Sequence, residues 1–134
     1  MNILVAKNSK ETQPLYSFFE GISDTLTTRI FNKFQSYVEY GDVYHCKSLK
    51  VLNSKIWKYK GTIYKLRVDN GKESARVLFA KTRAGDLTII HAFLKSTRKT
   101  PAKDAHQAIG LYQELDSLDT VSWTEDLTIA QCVK

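Results

Sequence analysis

Three short runs between Ile63 and Pro101 constrain this chain most: Ile63–Asp69, Ala75–Lys81 and Leu87–Leu94. Each is rich in the β-branched, aromatic and aliphatic residues that suit a pleated surface. Asn70-Gly71 fills the first gap and Gly85-Asp86 the second. Gly and Asn tolerate the positive φ of tight hairpin turns, so the runs predict an antiparallel meander. Cationic residues recur along it, at Lys65, Arg67, Arg76, Lys81, Arg83, Lys95, Arg98 and Lys99. Lys65 and Arg67 lie two apart and should share a face, with Tyr64, Leu66 and Val68 on the other. One face is expected on a core and the other toward a polyanion.

The charge distribution agrees. Residues 1–41 balance at zero, residues 42–103 carry 15 basic against 4 acidic residues, and residues 104–134 carry 1 against 6. A basic middle of that size attracts phosphates at long range, and here the charge falls on the sheet. The 134 residues suit one domain able to bury a core. No run of 18 apolar residues suggests a membrane span, and the first residues do not read as a secretory signal. Cys46 and Cys132 stand far apart and read as two reduced thiols in a cytoplasmic protein. The histidines and cysteines have no metal-ligand spacing.

Before the meander, Asn2–Ala6 reads as a strand that could pair with it. Ser9–Glu20 reads as a helix capped by Ser9 and ended by Gly21. A second helix is expected from Ser23 or Asp24 to Tyr40, with Leu26, Ile30, Phe31, Phe34, Tyr37 and Val38 as its stripe and Gly41 after it. His45–Lys60 reads as a basic connector whose Ile56-Trp57-Lys58-Tyr59 could extend a strand, with Trp57 packing at the sheet edge. After the meander, Thr100 reads as an N-cap and Pro101 as the first helical residue of a helix to about Leu118. Its stripe is Ala105, Ala108, Ile109, Tyr112 and Leu115. The acidic tail from Asp119 reads as either a short helix or a strand. The predicted order is β-α-α-β-β-β-α: a single α+β domain over residues 1–134, core about 24–118, with helices on one face of an antiparallel sheet.

Four blocks carry a resemblance: Lys60-Gly61 with Ile63–Val68, Ala75–Phe79, Ile89–Lys95, and Lys99-Thr100-Pro101. In order and spacing they resemble the RelE superfamily of small bacterial toxins, nearest its phage-derived HigB-like branch. Tyr64-Lys65 stands where that branch usually has Trp-Glu, and Ala92 where it has Gly. The resemblance implies the toxin of a type II toxin–antitoxin pair, a cytoplasmic, ribosome-dependent mRNA endonuclease that uses no metal or other cofactor. Its implied partners are a cognate antitoxin, the ribosome and mRNA, with no membrane. Two other readings stand beside it: a ParE-like gyrase inhibitor, and a non-enzymatic nucleic-acid-binding or decayed toxin.

RNA transesterification requires deprotonation of the 2′-OH, stabilisation of the pentavalent phosphate and protonation of the leaving 5′-oxygen. Arg76 suits the phosphate, because a guanidinium grips two oxygens at once. Its place at the start of a strand is also where the resemblance sets a phosphate-binding arginine. Lys65 and Arg67 match positions of catalytic lysines in related toxins, which implies phosphate, general-base or leaving-group roles. His91 titrates near neutrality and suits proton transfer; the alternative is a hydrogen-bonded sheet residue. Phe93 is a candidate for base stacking or for the core. Lys55, Lys60, Lys95, Arg98 and Lys99 are candidate RNA contacts. His45 and His106 read as surface residues.

Overall fold

A computed structural model of the chain describes residues 2–7, 9–40, 49–95 and 100–124. Gly41, His45, Cys46, Arg98, Lys99 and Cys132 lie outside the described residues. The order is β1 (Ile3–Ala6), α1 (Gln13–Gly21), α2 (Asp24–Tyr40), β2 (Leu49–Val51), α3 (Ser54–Trp57), β3 (Tyr64–Asn70), β4 (Glu73–Lys81), β5 (Leu87–Leu94), α4 (Ala102–Gln113), a 3-10 turn (Leu115–Ser117) and β6 (Thr120–Ser122). The strands form one sheet in the order β2-β3-β4-β5-β1-β6. The fold is α+β, as the sequence suggested.

The meander folds where its alternation places it. β3 and β4 pair antiparallel from Tyr64↔Phe79 to Asn70↔Glu73, turning through Gly71 at φ 58°. β4 and β5 pair antiparallel through a turn with Gly85 at φ 90°. β1 joins as a parallel neighbour of β5 and pairs antiparallel with β6. Of the two readings of the tail from Asp119, the strand holds, as β6, and the 3-10 turn precedes it.

Boundaries shift where local caps differ from the expected ones. The first helix starts at Gln13 rather than Ser9, because Ser9 and Thr12 bond each other in a turn (Ser9 N–H to Thr12 Oγ1, 2.6 Å) and Pro14 falls in the first turn. Ser23 caps α2: its Oγ accepts Leu26 N–H at 3.1 Å and donates to Glu73 at 2.6 Å, tying α2 to the β3–β4 hairpin. Ile56-Trp57 is helical and not strand, because the Asn53 carboxamide accepts from the N–H of Lys55 and Ile56 and nucleates α3. α4 begins at Ala102, and it stops at Gln113 before the 3-10 turn.

The sheet is covered on both faces, where helices on one face were predicted. α1 and α2 bury Leu15, Phe19, Leu26, Ile30 and Phe34 against Leu66, Val68, Val77, Phe79 and Ile89. α4 lies on the opposite face, because its stripe of Ala105, Ala108 and Ile109 needs an apolar floor, and Leu78, Ile90 and Phe93 provide one. An irregularity in β5 makes that floor. Leu78 pairs with His91 but Phe79 pairs with Ile89, so Ile90 is an extra residue, a β-bulge. Ile89 therefore joins the α1/α2 core while Ile90 joins the α4 core.

Candidate functional site

The α4 face is apolar only in part. Beyond the helix, the register sets Lys50 opposite Lys65 and Arg67 opposite Arg76. Directly opposed residues point to one face with Cβ atoms about 4.5–5.5 Å apart, and like charges so placed repel. Lys95 follows on β5, its N–H bonded to Ser74 O at 2.7 Å. The structure thus brings Lys65, Arg67, Arg76 and Lys95 together and adds Lys50. The pKa of Lys65 is lowered by burial first and then by Lys95, Arg76 and Lys50. That of Lys95 is lowered by burial, Arg76, Lys50 and Arg67. Five cations feel one another across a single patch.

Arg76 is the floor of the patch, its side chain only 10% exposed. Its Nη1 donates to Ser74 Oγ and Ala75 O, both at 2.9 Å. Burial and the neighbouring Arg67 disfavour its charge, while Asp69 favours it. Asp69 accepts from Ser74 Oγ at 2.6 Å and from Arg67 Nε at 2.7 Å. These bonds hold its carboxyl below the usual carboxylate range. Asp69 is therefore the counter-charge that fixes both arginines. Arg29 donates to the Asp69 carbonyl at 3.1 Å, and with Lys33 it carries positive charge round the β3 edge in a shallow cleft of about 440 Å³.

The start of α4 is moored to this patch twice. Lys65 Nζ donates to Thr100 Oγ1 at 2.9 Å. The hydroxyl expected to cap the helix thus holds a lysine, and Pro101 takes the N-cap position. His91 is 2% exposed and its Nε2 lies 2.7 Å from Asp104 Oδ1 in the first turn of α4. A carboxylate only accepts, so Nε2 carries the proton. Burial pulls the His91 pKa below its ordinary value against the opposing pull of Asp104. His91 is thus a neutral, bonded residue beneath the patch. Phe93 is buried in the α4 core, its ring centroid 6.3 Å from that of His91.

The remaining candidates sit elsewhere. Lys55 is exposed on α3. Lys60 lines a separate cleft by the C-terminal end of α4. Trp57 packs on α4, edge-on to His106 at 5.7 Å. Sequence reading missed Lys50, Asp69, Thr100 and Asp104 as members of the site. Only the cationic character of Lys50 was visible in the sequence, because the grouping depends on strand pairing. Among the described residues no three His, Cys, Asp or Glu side chains gather as a metal site. No described helix is long and apolar enough to cross a membrane.

No curated protein matches the chain. A family model does, that of the phage-derived Gp49-like proteins (DUF891), over residues 17–113. The matched span runs from α1 to the end of α4 and takes in β3, β4 and β5, on which the cationic patch is built. With most of its length and those three strands inside the match, the chain belongs to the phage-derived Gp49-like family.

Proposed function

We propose that this protein is the toxin of a toxin–antitoxin pair and cuts mRNA on the ribosome without a metal. The observation that carries the reading is the patch of Lys50, Lys65, Arg67, Arg76 and Lys95 on one sheet face. Five like charges held together cost stability, and a phosphodiester strand relieves that cost. The association of the Gp49-like family with RelE-like toxins supports it further.

The chemistry follows from what each side chain can do. Arg76, pinned by Ser74 and Asp69, meets the scissile phosphate and stabilises its growing charge; such a donor is worth about 10²–10³ in rate. Lys65 has a lowered pKa, so more of it is neutral, and it takes the 2′-OH proton. The 2′-oxygen attacks phosphorus and the bond to the 5′-oxygen breaks. A neighbouring ammonium, Lys95 or Lys50, protonates the leaving oxygen, and a 2′,3′-cyclic phosphate remains. Arg67 neutralises the adjoining phosphate. His91 is a positioning residue: through Asp104 it fixes α4, whose Thr100 orients Lys65.

Induction of the protein should stop growth, and primer extension on a reporter mRNA should find cuts within translated codons. Arg76→Ala should abolish both. Intact mRNA with SOS induction would instead identify a gyrase poison. Growth arrest unaffected by Arg76→Ala would remove the enzymatic reading.

A further inference from the structure

A second basic cleft lies at the other end of α4. It measures about 720 Å³ and is lined by Lys58, Lys60, Lys81 and Arg83 together with Tyr112 and Asp116. Four cations from two chain segments, 58–60 and 81–83, converge there against one carboxylate, which lies 3.8 Å from Arg83 across an exposed pair. The wall is rigid. Tyr112 packs over Gly61, where an added Cβ would collide with its hydroxyl, and that hydroxyl accepts Thr62 N–H at 3.1 Å. Gly61 holds φ 108°, which strains other residues. Tyr59 is locked by donating to Leu52 O at 2.5 Å and accepting Ile63 N–H at 3.2 Å.

We propose that this cleft holds the phosphodiester backbone of the same RNA strand at a distance from the cleaved bond. The proposal rests on the reading above, that the α4 face takes RNA. The 12 residues of α4 span about 18 Å between the two basic regions. Stacked nucleotides rise about 3.4 Å each, so roughly five to six bridge that distance. The cations come from separate segments along an open cleft, which suits a chain of phosphates better than one compact anion. The cleft is therefore a second anchor that makes grip depend on strand length.

The test titrates the wild-type protein with uncleavable 2′-O-methyl RNA, a tetramer and a dodecamer, across a salt series. Lys60→Ala, Lys81→Ala and Arg83→Ala are combined in one variant. Three lost phosphate contacts at about 0.7 each should flatten the log–log salt slope for the dodecamer by about two and weaken it roughly 50-fold at physiological salt. Tetramer binding should hold, and the charge-keeping triple Lys60→Arg, Lys81→Arg, Arg83→Lys should bind the dodecamer normally. An unchanged dodecamer slope overturns the proposal, as does equal weakening of both lengths. Displacement of the dodecamer from the cleft by equimolar tripolyphosphate also overturns it, in favour of a site for free polyphosphate. Because this titration needs no cleavage, its failure is separable from failure of the reporter assay.

Discussion

The two faces of the sheet solve opposite problems. The face under α1 and α2 is apolar across its centre: Leu66, Val68, Val77, Phe79 and Ile89 meet Leu26, Ile30 and Phe34, and Phe79 packs edge-on against Phe34 at 4.9 Å. The face under α4 changes character along its length, from Leu78 and Ile90 to a surface where Arg67 faces Arg76 and Lys50 faces Lys65. The first face gains from every contact. The second pays desolvation and repulsion, seen in the lowered pKa values of Lys65 and Arg76. Stability and charge have been sorted onto opposite sides of one layer, so substitutions on the two sides should fail differently.

The largest expected effect lies on the closed face. Phe79→Ala should lower unfolding free energy by about 3–5 kcal/mol, measured by urea denaturation. A loss under about 1 kcal/mol would mean the face is not the main store of stability. On the open face, Lys65→Arg should cost at least about 10² in cleavage on programmed ribosomes, since arginine stays charged. The wild-type rate should rise with pH to a midpoint below 10.5, the ordinary value of a lysine, and the variant should show no such rise. Arg76→Met should cost about 10²–10³ in the same assay while melting no lower than wild type, because it removes a desolvated charge and keeps apolar volume.

Smaller effects sharpen the boundary between the faces. His91 is buried neutral, with its folded pKa below its ordinary 6.5. Its contribution is complete above pH 6.5 and is lost as pH falls toward the folded pKa, because the unfolded chain takes the proton first. The urea midpoint should therefore drop on acidification from that point, and His91→Gln should flatten this part of the profile. Least of all, Lys50→Met should raise stability by up to about 1 kcal/mol by relieving Lys65, visible as a higher melting temperature.

How far the sequence revealed this depended on the range of the interaction. The meander was legible because a period of two and a glycine turn are local signals. α2 was legible from its stripe. The cap at Asn53 overrode the weak alternation of Ile56–Tyr59, and the Ser9–Thr12 turn delayed α1. Lys65 and Arg67 could be placed on one surface from parity within their strand, whereas Arg76 joins them only through the register of β3 with β4. The pairing of Lys50 with Lys65 joins segments that only folding aligns. Asp104 and Thr100 act from a helix whose landing place was unknown, so the sequence left His91 open between proton transfer and a hydrogen-bonded sheet residue.

The bulge at Ile90 has a consequence for how this strand tolerates change. Downstream of it, orientation is set by counting, much as a reading frame is. Deleting Ile90 would remove only the extra residue: Ile89 would still pair with Phe79 and His91 with Leu78, so His91, Phe93 and Lys95 would keep their side while the α4 core lost one side chain. Deleting a regularly paired residue such as Ala92 would instead turn Phe93 and Lys95 to the opposite side, and should be far more damaging than deleting Ile90.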